Sequence, residues 1–248
     1  TAMKGYVDLL KNKRKTMTPE NSRSFRIGKT LYDNKFEYDI DSRYTAEEIF
    51  EKAKTRRNEL HHEMANISRT LWNKYFGNQP MPADSLVLIR KMIDTLSVIH
   101  VKPDSFLSSI QQQLPQLISF INEHKLIYID PSKPLVVRKT PGYLEGGGAG
   151  ASVSAPGPFD KNANTYYNVS PLTDYTPQQA ESYLREYNYY ILQILNIHEA
   201  IPGHYTQLVY SNNSPSIIKS LLGNQAMVEG WAVYGERMMI ENGYGSDP

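Results

Sequence analysis

Cysteine is absent from all 248 residues. That excludes a disulfide scaffold, a thiolate metal cluster and a cysteine nucleophile at once. Any metal site must therefore use His nitrogen and Asp/Glu oxygen. Net charge is nearly absent as well: 27 Lys+Arg against 26 Asp+Glu leaves +1, which argues against nucleic acid as the main partner. No apolar run exceeds a handful of residues, so no transmembrane segment is expected. No signal-peptide pattern opens the sequence, and the first residue is Thr1 rather than Met, so upstream sequence is expected to have been removed. There is no internal repeat. The length is enough to bury a sizeable core without staples.

The charge that is present is unevenly placed. Residues 1–75 hold 16 Lys/Arg and 11 Asp/Glu, and the remaining 173 hold 11 and 15. The run Lys11, Lys13, Arg14 and Lys15 reads as a solvated helix end, because nearby acids dilute it. One stretch, Gly146 to Gly150, is strongly biased. It suits either a linker or a loop whose backbone approaches a ligand, bordering a cleft.

The pattern predicts a mainly α protein with a small β-sheet (α+β), a helical region over 1–130 and a sheet with two site-bearing helices over 131–248. Thr45-Ala-Glu-Glu48 reads as a capping box. A helix to about Tyr75 follows, with Ile49, Ala53, Leu60, Met64, Ile67 and Leu71 as its apolar stripe. Asp84 is read as the cap of a second helix reaching Ile99. Asp104 is read as the cap of a third, which Pro115 should kink. Short strands are expected at 135–137, 152–154 and 165–169. Thr176-Pro-Gln-Gln179 starts a helix with a capping box and Pro at the first position. Its apolar face runs on through Ala180, Leu184, Tyr187, Ile191, Ile194 and Leu195. A last helix is expected over 225–241, stopped by Gly243.

The chemistry concentrates in His198-Glu-Ala-Ile-Pro-Gly-His204, at the end of the capped helix. His198 continues that helix's stripe, where a polar ring must find a partner. In a His-Glu-x-x-His motif two imidazoles share one helix face and the Glu serves as general base. Here the second His lies six residues on. Six residues rotate about 600°, leaving the rings about 240° apart on a straight helix. Pro202 and Gly203 offer a bulge that returns His204 towards His198. A third ligand can come from Glu229-Gly-Trp-Ala-Val-Tyr-Gly-Glu236, where Glu229 and Glu236 share a face with Ala226, Val233 and Ile240. Two carboxylates in an apolar stripe call for a metal or a cation nearby.

HEAIPGH followed by EGWAVYGE resembles a large, mainly bacterial family long labelled a domain of unknown function, whose hallmark is HExxPGH and then EGWxxYxE. Upstream, Gly28 to Tyr32, Thr45 to Glu48 and the helix to Trp72 match the family's layout. That family is similar to the gluzincin metallopeptidases. The resemblance implies that His198, His204 and Glu229 bind zinc and that Glu199 is the general base; Glu236 is read either as a salt-bridge partner or as a support behind the ligands. Many members carry a second His where this chain has Tyr205. Members are about twice this length, so the chain reads as a fragment.

The function so implied is a zinc-dependent metallopeptidase acting on a peptide or small amide. An oxyanion donor would come from among Tyr143, Tyr166, Tyr167, Tyr205 and Tyr234. In gluzincins the substrate pairs with a sheet edge, and Thr165 to Val169 is read as that edge, making Tyr166, Tyr167, Asn168 and Tyr205 substrate-binding candidates. Three other readings stand beside this one. They are a hydrolase of non-peptide amides, an inactive metal- or peptide-binding module, and a structural role in which the two His never meet. Oligomeric state and compartment are not written in the sequence, although a soluble, exported or periplasmic bacterial location fits.

Overall fold

A computed structural model describes residues 2–144, 150–160 and 163–245. The Gly146–Gly150 loop lies outside the described residues except for Gly150 itself. The chain forms two compact units, 1–50 and 51–248. The first holds α1 (Ala2–Lys15) and α2 (Lys29–Ile40), neither with a buried residue. Both fall in the helical region expected over 1–130, and Lys13, Arg14 and Lys15 end the first. α3 (Ala46–Phe76) opens on the expected capping box: Glu48 N–H donates to Thr45 Oγ1 at 3.2 Å and Thr45 N–H to Glu48 Oε2 at 2.7 Å.

Within the second unit α3 buries Ala65, Ser68 and Trp72. The expected stripe of Leu60, Met64 and Ile67 is exposed instead. α4 (Ser85–Leu96) is capped by Asp84, whose carboxylate accepts from Leu86 and Val87 N–H. It stops short of Ile99. Asp104 does not cap the next helix. It sits inside a 3-10 turn, Pro103–Ser105, and α5 (Phe106–His124) begins after it. α5 runs on through Pro115, burying Phe106, Ile110, Leu114, Leu117 and Ile121.

The sheet contains β1 (Leu135–Lys139), β2 (Ala151–Ser154) and β3 (Thr165–Val169) in the order β1-β3-β2. β1 pairs with β3 in parallel, Leu135 opposite Thr165. β2 pairs with it antiparallel, Ala151 opposite Val169. The 165–169 strand is therefore the centre of the sheet, not its edge, and its main-chain groups are already committed on both sides. An incoming peptide cannot add to it.

α6 (Pro177–Glu186) opens on the full capping box of Thr176 and Gln179. The single helix expected from 177 onward is two. Asn188 takes the N–H groups of Tyr190 and Ile191 on its side chain and starts α7 (Tyr189–Glu199). The break resets the helical phase, so the buried face of α7 is Leu192, Asn196 and Ile197 while Ile191 is exposed. α8 (His204–Asn212), α9 (Ile217–Leu221) and α10 (Gln225–Glu241) follow. Gly243 ends the last at φ 93°, a conformation favoured by glycine, with its N–H on Ile240 O. The core joins α5, Tyr167 and Val169 of β3, Leu192 and Ile197 of α7, and Ala200, Ile201, Tyr205 and Met239.

Candidate metal centre

The HEAIPGH segment does not bulge as one helix; it ends and restarts. Asn196 O accepts both Ala200 N–H at 3.0 Å and Ile201 N–H at 3.1 Å, closing α7. Pro202 has no N–H to offer and follows Ile201 in a cis peptide. Gly203 N–H then reaches back to Ile197 O at 2.9 Å. A Cβ on residue 203 would lie 1.8 Å from His198 O and 2.3 Å from Ile197 O. Only glycine fits, and α8 starts on the next residue, His204.

This turn brings the two imidazoles together, with ring centroids 4.7 Å apart at 86°. The reading in which they never meet is thereby contradicted. α10 packs across them. Trp231 Nε1–H donates to Pro202 O at 2.8 Å, and Gly235 lies against the Pro202 ring. That contact seats Glu229 opposite the turn. Its Oε2 is 3.5 Å from His198 Nε2 and 3.6 Å from His204 Nε2, while Oε1 accepts from Gln225 Nε2 at 2.9 Å. Glu236, two turns along, meets the other side of His198: Oε1 lies 2.6 Å from Nδ1. His198, Glu199 and His204 each offer a ligand atom, all within 4.8 Å of one another.

Electrostatics follow this geometry. The hydrogen bond that His198 donates to Glu236 raises the pKa of His198 against the opposing effect of burial. His204 is lowered, first by burial and then by the neighbouring His198. Burial drives the Glu199 carboxyl up to about 7, helped by Glu229 and resisted by His198. His204 Nδ1 is buried without a hydrogen-bond partner among the described residues.

The remaining candidates fall elsewhere. Tyr167 is fully buried, its hydroxyl donating to Asn196 Oδ1 at 3.0 Å, and Asn196 Nδ2 donates to Gln113 Oε1 at 2.6 Å. Tyr205 is buried with its hydroxyl on Lys133 O. Asn168 is buried between Arg138 Nε and Ser154 Oγ, each at 2.8 Å, and Arg138 lies over the Tyr166 ring at 3.6 Å. The polar groups of Tyr167, Asn168 and Tyr205 are thus engaged within the fold, and Tyr166 is half-buried. Tyr143 and Tyr234 are exposed. Three positions missed in the sequence are Asn196, Gln113 and Trp231. Only Trp231 carried a signal, being one of two tryptophans and part of the second motif.

Tyr167→Phe is expected to leave Asn196 Oδ1 unsatisfied in the core and to cost about 1–3 kcal/mol. Denaturant unfolding of the variant measures this. An unchanged midpoint would mean that the buried polar thread carries no weight.

The family model for "Bacterial protein of unknown function (DUF885)" matches residues 1–248. The chain belongs to this family. A solved chain from Shewanella oneidensis, described as a "putative lipoprotein of unknown function", is 54% identical with a TM-score of 0.80. The match covers 98% of this chain and 43% of that one. A second, a "putative lipoprotein" from Colwellia psychrerythraea, shares the fold at 17% identity and a TM-score of 0.65, covering 88% of this chain and 35% of its own. The DUF885 chain thus spans less than half the length of either solved relative. No curated protein matches it. No helix among the described residues is long and apolar enough to cross a membrane.

Proposed function

We propose that this DUF885 chain carries a gluzincin-like zinc centre and that the whole protein hydrolyses peptide or small amide bonds. One observation supports this above the others. Glu229 Oε2 faces both imidazole Nε2 atoms at 3.5 and 3.6 Å. Those separations exceed hydrogen-bond length. They are close to the edge of a tetrahedron whose centre lies about 2.0–2.1 Å from each ligand, about 3.3 Å. The donor set is also of the right kind, two imidazole nitrogens and one carboxylate, the three protein ligands that catalytic zinc uses.

His198, His204 and Glu229 would hold the ion. When bound, zinc lowers the pKa of a coordinated water to near neutrality and polarises a substrate carbonyl. Glu199 supplies the base: its half-buried carboxylate takes the proton of the attacking water and returns it to the leaving nitrogen. Glu236 accepts the Nδ1 proton of His198, which fixes the tautomer and points Nε2 at Glu229. An exported location agrees with the lipoprotein description of the two solved relatives.

Elemental analysis of the full-length protein is expected to find about one equivalent of zinc. Less than about a tenth of an equivalent after zinc loading would overturn the reading. Glu236→Ala is expected to weaken zinc affinity about 10- to 100-fold, measured by competition with a chromophoric chelator. Equal affinity would remove Glu236 from this role.

A further inference from the structure

A cavity of about 600 Å³ is lined by residues that neighbour the donors along the chain, and no part of the reading above uses it. Its walls come from α8, α9 and the start of α10. Gln207 stands one turn beyond His204, Val228 directly precedes Glu229, and Trp231 is the residue tied to Pro202. Ile127, Leu222 and Met227 add apolar surface. The size and character suit a small ligand or a large side chain.

Gln207, Tyr210, Ser211, Ser214, Lys219 and Asn224 add polar groups to this lining, and two of them point to a ligand. Gln207 Oε1 is buried with no hydrogen-bond partner among the described residues. An acceptor in that condition is suited by an N–H of a ligand, because a buried unpaired oxygen is costly. Lys219 also lines the cavity. No acid occurs anywhere between Glu199 and Glu229, and Lys219 is the one Lys or Arg in that span. No ion pair engages its ammonium among the described residues. An exposed, unpaired cation beside the apolar surface of Leu222, Met227 and Trp231 has its complement in an anion carried on an apolar group.

We infer that this cavity binds the C-terminal residue of a peptide, with the apolar side chain inside, the free α-carboxylate on Lys219 and the amide N–H on Gln207. The inference rests on the proposed zinc centre only for its meaning as a substrate subsite, which makes the substrate a peptide with an apolar carboxy-terminal residue. Binding itself needs no metal.

Calorimetric titration of the full-length protein, zinc-loaded and metal-free, with acetyl-Gly-Phe and with its C-terminal amide tests this. The acid is expected to bind at least about tenfold more tightly than the amide, the scale of one charge-assisted hydrogen bond. Lys219→Met should bring the two to parity and Lys219→Arg should keep the preference. Acetyl-Gly-Asp should bind at least about tenfold more weakly than acetyl-Gly-Phe. Equal binding of acid and amide, a preference that survives in Lys219→Met, or no binding of either overturns the inference. Absence of zinc with the carboxylate preference intact would defeat the zinc reading alone. Zinc binding without that preference would defeat only the subsite.

Discussion

Glu199→Gln is expected to retain zinc at the level of the parent protein and to lose about 10²- to 10⁴-fold in hydrolysis of a susceptible peptide. The amide has the shape of the carboxyl, so the turn at 200–203 is undisturbed. The proposed ligands His198, His204 and Glu229 are untouched. What disappears is the proton acceptor. Burial holds the Glu199 carboxyl at about 7, so both of its protonation states are accessible near neutrality, as a base that later acts as an acid requires. Turnover equal to the parent, with metal content matched, would sink the assignment of Glu199 as the base. The same variant has a stability signature in metal-free protein. A carboxyl whose folded pKa is raised binds more protons folded than unfolded. Its contribution is present below the ordinary value of 4.5 and is lost as pH rises through about 7. Glu199→Gln should remove that loss, so its melting temperature relative to the parent should rise between pH 5 and pH 8.

Gly203→Ala is expected to destabilise the protein by about 3 kcal/mol or more and to abolish zinc binding. The added methyl would sit 1.8 Å from His198 O and 2.3 Å from Ile197 O. Both obstacles are backbone, and neither can swing aside as a side chain would. Relief requires residues 200–203 to move, which breaks the Gly203 N–H to Ile197 O bond and displaces His204, the very next residue. The proper control is Gly230→Ala on α10, where nothing lies within 4 Å of the new Cβ. There the substitution should stabilise by about 0.5–1 kcal/mol, since alanine replaces glycine inside an exposed helix. Thermal denaturation and zinc content, measured on both variants, decide the matter. A Gly203→Ala protein that melts and binds metal like the parent would show that the close approach is not required.

How much of this could be read beforehand depended on whether the signal was local. The capping boxes at Thr45 and Thr176 bind within four residues, and both are present as expected. The Pro202–Gly203 pair announced that a straight helix could not survive there, which was correct in consequence though not in form. Non-local choices were invisible. Asn188 is a permissible helix residue, and its role as a cap depends on Tyr189 N–H finding Ile99 O, a partner 90 positions away. The central placement of 165–169 depends on two partner strands, and its own five residues do not encode pairing order. With 18 tyrosines, composition could not separate Tyr167 in the core from a ligand-facing one. The α3 stripe failed for a related reason: apolar spacing identified a helix but not which of its faces is buried.

One consequence follows from the positions of the site's donors along the chain. His204 opens α8 and Glu229 sits on α10, with the whole of α9 and the cavity wall between them. A cation gripping both would close a covalently continuous ring of about 25 residues. Cross-linking a ring of that size removes conformational entropy from the unfolded chain worth about 3 kcal/mol. The ion would then act as a reversible clasp on the α8–α9 segment. Amide exchange across residues 205–228 would report metal occupancy even where no bond is cut.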